Sequence, residues 1–275
     1  MGIWDHASVS RDITAEAILR FDCPFCGKRL KIIHTSEDSL LPFVGISQQN
    51  ARTTTKTRAA RCTMCGWWNY SHSKETIWRD HAYHSRGSSL WGAAGCLKKL
   101  NLSDLSTPID EIKTYLIGRY PDVSLVHPRL FEQVVSSVFG ALGYDSAVTS
   151  YSGDDGIDVF LRKGEELIGV QVKRYKNKID VGQIRELAGA MVLNGITKGF
   201  FVTTSSFQSG VKPTIKKYLT AGLDVKTFDY DQFYEILELA QVRNIDQYNQ
   251  EIIVDRRDDL IILKSDDERH FDRFY

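Results

Sequence analysis

From about residue 128 onward the chain switches between two hydrophobic periods, and each switch marks an element. Residues 129–142 place apolar side chains at 130, 131, 134, 135, 138, 139 and 142, the stripe of an amphipathic helix, and Gly143 follows in a C-cap position. Farther on, Val159 and Leu161, then Ile168, Val170 and Val172, recur at every second residue on either side of Gly164-Glu165. A two-residue turn with Gly first makes these runs an antiparallel hairpin. Lys163 then faces Glu166, and counting back along both strands sets Asp158 opposite Gln171. Lys173 points the same way, because side chains alternate with period two. One face of the hairpin is expected to pack and the other to do chemistry.

The remaining pattern fits around that hairpin. Residues 181–193 form a helix rich in Ala and Gly, ended by Asn194-Gly195, and 198–204 read as a buried strand. A helix over 207–219 with Pro213 in its first turn, a strand over 223–228 and a helix over 230–240 complete the series. Strands alternating with helices predict an α/β domain with a mixed central sheet over residues 121–240. Ahead of it, Thr107-Pro108 opens a helix over 109–120 that Pro121 ends. Residues 81–120 read as a linker and this lead-in helix, with Ser85-Arg-Gly-Ser-Ser as its least patterned part. Residues 1–80 form a separate small β domain, and 241–275 an acidic extension.

Cysteine spacing organises the small domain. Cys23-Pro-Phe-Cys26-Gly and Cys62-Thr-Met-Cys65-Gly are two knuckles, each bringing two thiolates to one turn, with a glycine free to take the left-handed conformation that closes it. Four such sulfurs complete a tetrahedral structural Zn²⁺ site, and residues 29–34 and 53–61 fill the gap as strands of a zinc ribbon. Disulfides and an iron–sulfur cluster use the same four residues and stay open as alternatives. His34, His72, His81 and His84 are spare donors, and Cys96 is left over as a buried or unreactive thiol. Trp67-Trp68-Asn-Tyr70 follows the second knuckle, either as the core of a small domain or as a platform on which a base stacks.

Composition changes this picture little and charge changes it more. The 275 residues are 42% hydrophobic and 25% charged, a soluble globular composition. No apolar run approaches the roughly eighteen residues of a membrane span. With no basic-then-apolar leader visible, a reducing cytoplasm is the expected compartment, which suits thiolate ligands. The formal net charge is +0, but its distribution is uneven. Residues 1–100 hold 14 Lys and Arg against 8 Asp and Glu, whereas residues 229–275 hold 6 against 13. Phosphate contacts need local positive charge, so Arg58 and Arg61 on the ribbon, and Arg174, Lys176 and Lys178 beyond the hairpin, are candidate DNA contacts. The acidic end reads as a surface for a partner protein.

Asp158 and Gln171 side by side offer hard oxygen ligands suited to Mg²⁺, and Lys173 beside them can orient or deprotonate a water. Set among its neighbours, the motif is more specific. His127-Pro-Arg-Leu-Phe-Glu132, Gly153-Asp-Asp-Gly-Ile-Asp158, Gln171-Val-Lys173-Arg-Tyr-Lys, Val181-Gly-Gln-Ile-Arg-Glu-Leu-Ala-Gly189 and Gly199-Phe-Phe-Val-Thr-Thr-Ser-Ser-Phe207 follow in order. This stretch resembles the Mrr-type catalytic domain of the PD-(D/E)xK nuclease superfamily. The resemblance implies that Asp158 binds metal, that Gln171 stands where most of the superfamily has Glu or Asp, and that Lys173 is the catalytic lysine. It also implies Glu132 as the acidic residue of the first helix and the Val172 carbonyl as a further Mg²⁺ ligand. The expected activity is Mg²⁺-dependent DNA cleavage in restriction or phage defence, by a homodimer or higher oligomer. A junction-resolving or repair nuclease, and a catalytically silent zinc-dependent nucleic-acid-binding module, are the alternatives. No helix-turn-helix precedes the domain, so the ribbon is expected to take the targeting role.

Overall fold

The computed structural model describes residues 3–7, 16–40, 50–79, 84–150 and 156–251. Residues 151–155 of the first motif, His81, and 252–275 of the acidic extension lie outside them. Two five-stranded sheets form the frame. The first contains β1 (Trp4–Ala7), β2 (Lys31–Leu40), β3 (Asn50–Arg61), β4 (Trp68–Arg79) and β5 (His84–Leu97), in the antiparallel order β1-β5-β4-β3-β2. Residues 84–97, expected to open the linker, are instead the strand that joins β1 to β4. Cross-strand pairing decided this where the local Ser/Gly composition pointed to a loop: Ser71↔Gly92 and Tyr70↔Ala93 sit in one continuous register. At Gly92 an added Cβ would meet the Tyr70 carbonyl at 2.0 Å, so the small residues of this run admit the neighbouring strand.

The second unit begins with α1 (Ile109–Gly118), a 3-10 segment (Tyr120–Leu125) and α2 (Pro128–Ala141). It continues through β6 (Asp145–Val148), β7 (Val159–Lys163), β8 (Glu166–Lys173), α3 (Val181–Leu193), β9 (Lys198–Thr203), α4 (Val211–Thr220), β10 (Asp224–Phe228) and α5 (Tyr230–Glu251). The sheet order is β10-β9-β8-β7-β6, antiparallel through β6, β7 and β8 and parallel through β8, β9 and β10, the mixed sheet the alternation predicts. Local chemistry starts α3, where Asp180 and Gln183 form a reciprocal capping box.

The hairpin pairs as expected, Lys163↔Glu166 back to Val159↔Val170, around Gly164 at φ 64. Val159, Leu161, Ile168, Val170 and Val172 are buried in one apolar cluster with Ile112, Leu130, Val134 and Phe233 from α1, α2 and α5. The other face also packs, contrary to the simple division of labour read from the sequence. Ile157 and Phe201 form a second cluster with Ile184, Leu187 and Met191 of α3. Gly169 and Gly199 make this possible: a Cβ on Gly169 would meet Ile157 Cδ1 at 2.7 Å, and one on Gly199 would meet Met191 Sδ at 2.4 Å. The sheet is covered on both sides, and polar side chains from the hairpin are confined to its turn and its open end.

The two units share a core. Cys23, Cys62, Cys65 and Trp67 belong to the same buried cluster as Leu116, Ile117 and Phe131. Phe25, between the first two cysteines, packs on Trp4 with ring centroids 4.5 Å apart and lies against Gly118 at the end of α1. Lys28 reaches Glu238 of α5 at 3.5 Å. Among the described residues, no helix is long and apolar enough to cross a membrane.

Candidate active site and metal centre

At the end of the hairpin the backbone ladder gives way to a side chain. Paired register stops at Val159↔Val170. The Asp158 N–H still donates to the Val170 carbonyl at 2.8 Å. The next strand donor, Val172 N–H, goes to Asp158 Oδ2 at 2.6 Å. Asp158 and Gln171 therefore are not the plain cross-strand pair that counting gives. The carboxylate itself takes the place of a backbone acceptor, which fixes its direction toward β8.

Gln171 is 3% exposed, and its Oε1 is buried without a hydrogen-bond partner among the described residues. Its amide nitrogen lies toward the turn at Gly156, whose φ of 89 requires glycine. An unsatisfied buried acceptor costs about 1–3 kcal/mol, so its retention at the end of a well-packed strand points to a ligand that completes it. Lys173 is half-buried, and its ammonium makes no hydrogen bond or ion pair among the described residues. Its backbone is firmly held: the Lys173 carbonyl accepts from Thr203 Oγ1 at 2.9 Å and from Thr204 N at 3.3 Å. Thr203 is fully buried and in turn accepts from Ser205 N at 3.2 Å. No role for Thr203 was read from the sequence. The hydroxyl run Thr203-Thr204-Ser205-Ser206 at the end of an apolar strand was the available signal. That run also ties down the loop after Lys173, since Thr204 Oγ1 donates to the Tyr175 carbonyl at 3.1 Å and Ser205 Oγ to that of Lys176 at 3.4 Å.

Glu132 stands in the first turns of α2, where Arg129 Nη1 donates to its Oε2 at 2.8 Å; both side chains are largely buried. Its carboxylate is anchored on the helix that packs against β7 and β8. If it adds negative charge to the metal site, Glu132→Gln should raise the Mg²⁺ concentration for half-maximal activity several-fold while leaving the melting temperature within a few degrees. An unchanged Mg²⁺ dependence removes Glu132 from the site.

The candidate DNA contacts divide. Lys176 and Lys178 are exposed on the pinned loop, and Arg61 is exposed at the end of β3. Arg174 is turned inward and donates to the Ser124 carbonyl, joining the loop to the 3-10 segment. Arg58 is also committed: it donates to the Arg20 carbonyl at 2.7 Å and lies 4.2 Å over the Phe21 ring. Burial first, and then the neighbouring Arg29 charge, hold its pKa below the usual guanidinium value. Trp67 is core at 2% exposure, with its Nε1 donating to the Gly95 carbonyl at 3.0 Å.

The two knuckles are near-copies. Gly27 N donates to the Cys23 carbonyl and Gly66 N to that of Cys62, both at 3.0 Å. Gly27 and Gly66 have φ of 68 and 79, the left-handed conformation expected after each second cysteine. The four sulfurs lie within 4.8 Å of one another, with Cys23 to Cys65 at 3.5 Å and Cys26 to Cys62 at 3.4 Å. All five cysteines are free, and these separations far exceed the roughly 2.05 Å of a disulfide. A tetrahedron of thiolates about 2.3 Å from one zinc has edges of about 3.8 Å, so the cluster has the size of a single-ion site. Without a cation the thiols compete for protons. Hydrogen bonds with Cys23, Cys26 and Cys65 hold Cys62 down, while those with Cys23, Cys26 and Cys62 push Cys65 up. Among the described residues no histidine joins the group.

A carboxylate, an amide oxygen and a lysine at the end of a hairpin in a mixed sheet, flanked by helices on both faces, define a PD-(D/E)xK nuclease fold. Residues 124–237 match the profile of the restriction endonuclease family Mrr_cat. Over 92 residues the chain is 34% identical to the type IV methyl-directed restriction enzyme EcoKMrr of Escherichia coli (strain K12), a match that covers 30% of each. The chain thus spans under a third of that curated relative. A solved protein of unknown function, AF1548, aligns at 13% identity with a TM-score of 0.32, over 38% of this chain and 59% of that one.

Proposed function

We propose that the chain is a Mg²⁺-dependent DNA endonuclease of restriction or phage defence, with a zinc-stabilised ribbon built onto its catalytic domain. The observation that carries this is the orphaned, buried Gln171 Oε1 beside an Asp158 carboxylate locked by the Val172 N–H and a Lys173 ammonium without a partner among the described residues. Asp158, Gln171 and the Val172 carbonyl would hold the ion, and their hard oxygen character suits Mg²⁺. When bound, the ion supplies a Lewis acid for the scissile phosphate and for charge developing in the transition state. Lys173 orients the attacking water for in-line displacement and, as a cation, favours the phosphate's charge. Thr203 and Thr204 keep the lysine backbone fixed, so little ordering remains when substrate arrives. With Gln171 in place of a carboxylate the site carries one negative charge fewer, and its Mg²⁺ affinity should be correspondingly modest.

In the ribbon, four sulfurs within 4.8 Å enclose the volume of one ion, which favours zinc over a multi-iron cluster. Cutting both strands with one site calls for a homodimer or two successive events. The test is plasmid cleavage by purified protein, with Mg²⁺ and without divalent ion, beside Asp158→Asn. Nicking or linearisation that needs Mg²⁺ and falls at least a hundredfold in the variant is expected. Equal cleavage by the variant, or none by the wild type on any plasmid tested, overturns the reading.

A further inference from the structure

Register assigns every side chain of the first sheet to one of two faces, and the faces differ in chemistry. One is covered near the knuckles by residues 16–21. Asn69 Nδ2 donates to the Ala17 and Arg20 carbonyls, both at 3.0 Å, and Ile18 is buried against Gly92. Farther out the same face carries Lys56 paired with Glu37 at 3.1 Å, Arg86 paired with Glu75, and Arg52 donating to Ser39 Oγ at 3.2 Å.

The opposite face is built from aromatic and hydroxyl side chains. Ser36, Thr57, His72 and Trp91 form one row across β2, β3, β4 and β5, and Asp38, Thr55, Lys74 and Ser89 form the next. Cross-strand hydroxyl bonds confirm the shared side, Ser36 to Thr57 and Thr53 to Thr76 at 3.1 Å. The His72 ring stacks on Trp91 with centroids 4.1 Å apart and planes at 23°. Trp78 lies over Gly87, where an added Cβ would come within 2.9 Å of its ring, and it remains 38% exposed. Lys74 and Ser89 are exposed, and Thr55, His72 and Trp91 half-exposed. Six residues separate His72 from Trp78, so the two aromatic stations stand roughly 20 Å apart along β4.

We propose that this outer face binds single-stranded DNA, bases stacking on the His72–Trp91 pair and on Trp78 while Lys74 meets the backbone between them. The inference rests on the reading that the chain acts on DNA, and it adds a strand-binding surface outside the catalytic domain. Charge favours an anionic occupant: register places Lys31, Arg61 and Lys74 on this face against Asp38 among the residues of β2 to β5, while Glu37 and Glu75 are ion-paired on the other face. A neutral glycan would stack on tryptophan but would make no use of that surplus. Duplex DNA offers phosphates but hides its base faces, whereas an unpaired strand presents both to a sheet with aromatic stations.

The test is a fluorescence-anisotropy titration of the full chain, without Mg²⁺, against a labelled strand of about 15 nucleotides and its duplex. The wild type should prefer the single strand. Trp91→Ala and Trp78→Ala should each weaken single-strand binding roughly tenfold, within the range of one lost base–aromatic stack, and Trp91→Phe should recover most of it. Lys56→Ala, on the ion-paired face, should change little. Circular dichroism and zinc content report folding, and if Trp91→Ala misfolds, the exposed Trp78 carries the test. Unchanged single-strand affinity in a folded Trp variant, or tighter binding of the duplex, overturns the proposal. Because no cleavage is read, either result leaves the nuclease reading standing, and a chain that binds through these tryptophans but never cuts overturns only that reading.

Discussion

Cys62→Ser should release the ribbon's metal and lower the melting temperature of the whole chain by about 8–16 °C, in one transition. Structural zinc in small modules stabilises the folded form by about 10–16 kcal/mol, and one lost thiolate forfeits a part of this. A loss of about 4 kcal/mol, at roughly 2–4 °C per kcal/mol for a chain of this size, gives that range. The single transition follows from packing. Cys62 is fully buried in the same cluster as Leu116, Ile117 and Phe131, and Phe25 wedges the first knuckle between Trp4 and the end of α1. Unravelling the knuckles therefore opens the floor of the catalytic domain. Calorimetry with metal analysis by mass spectrometry decides the matter. A chain without metal that melts where the wild type does sinks the structural role, and a ribbon that melts alone, leaving a second transition unmoved, sinks the shared core.

Much of this architecture is legible in the sequence because its signals are local. The α2 stripe, the Asn194-Gly195 stop after α3 and the Gly164 turn each declare themselves within a few positions, and the hairpin register follows from period two alone. The knuckles are equally local, since CxxC-Gly encodes both the sulfur spacing and the positive φ. Non-local features are hidden. Strand β5 is held by partners far along the chain, and its Gly and Ser residues carry no strand propensity of their own. The exchange at Asp158, where a carboxylate replaces a backbone acceptor, cannot be found by counting, because register arithmetic assumes that both ladders continue. The inward turns of Arg58 and Arg174 are hidden likewise, for a basic residue in sequence does not say whether its guanidinium meets solvent or a carbonyl.

Lys173→Ala should reduce Mg²⁺-dependent cleavage by about 10²–10⁴-fold, the usual worth of a positioned acid–base or water-orienting group, with duplex affinity changed only a few-fold. Folding should survive: the side chain is half-buried without a partner among the described residues, and the backbone it leaves behind is still held through its carbonyl by Thr203 and Thr204. Lys173→Arg separates two roles that alanine removes together. Arginine keeps the positive charge, but its planar guanidinium cannot serve as a base near neutral pH and does not reproduce the compact ammonium. If Lys173 acts on the water, the arginine variant stays nearly as slow as alanine. If its charge alone steadies the phosphate, arginine recovers most of the rate. Cleavage at the wild-type rate by a verified Lys173→Ala protein would remove the lysine from the mechanism. Asp158 and Gln171 would then stand as a metal site whose water is oriented by another group, with Lys176 and Lys178 of the same loop as the nearest exposed cations in sequence to examine.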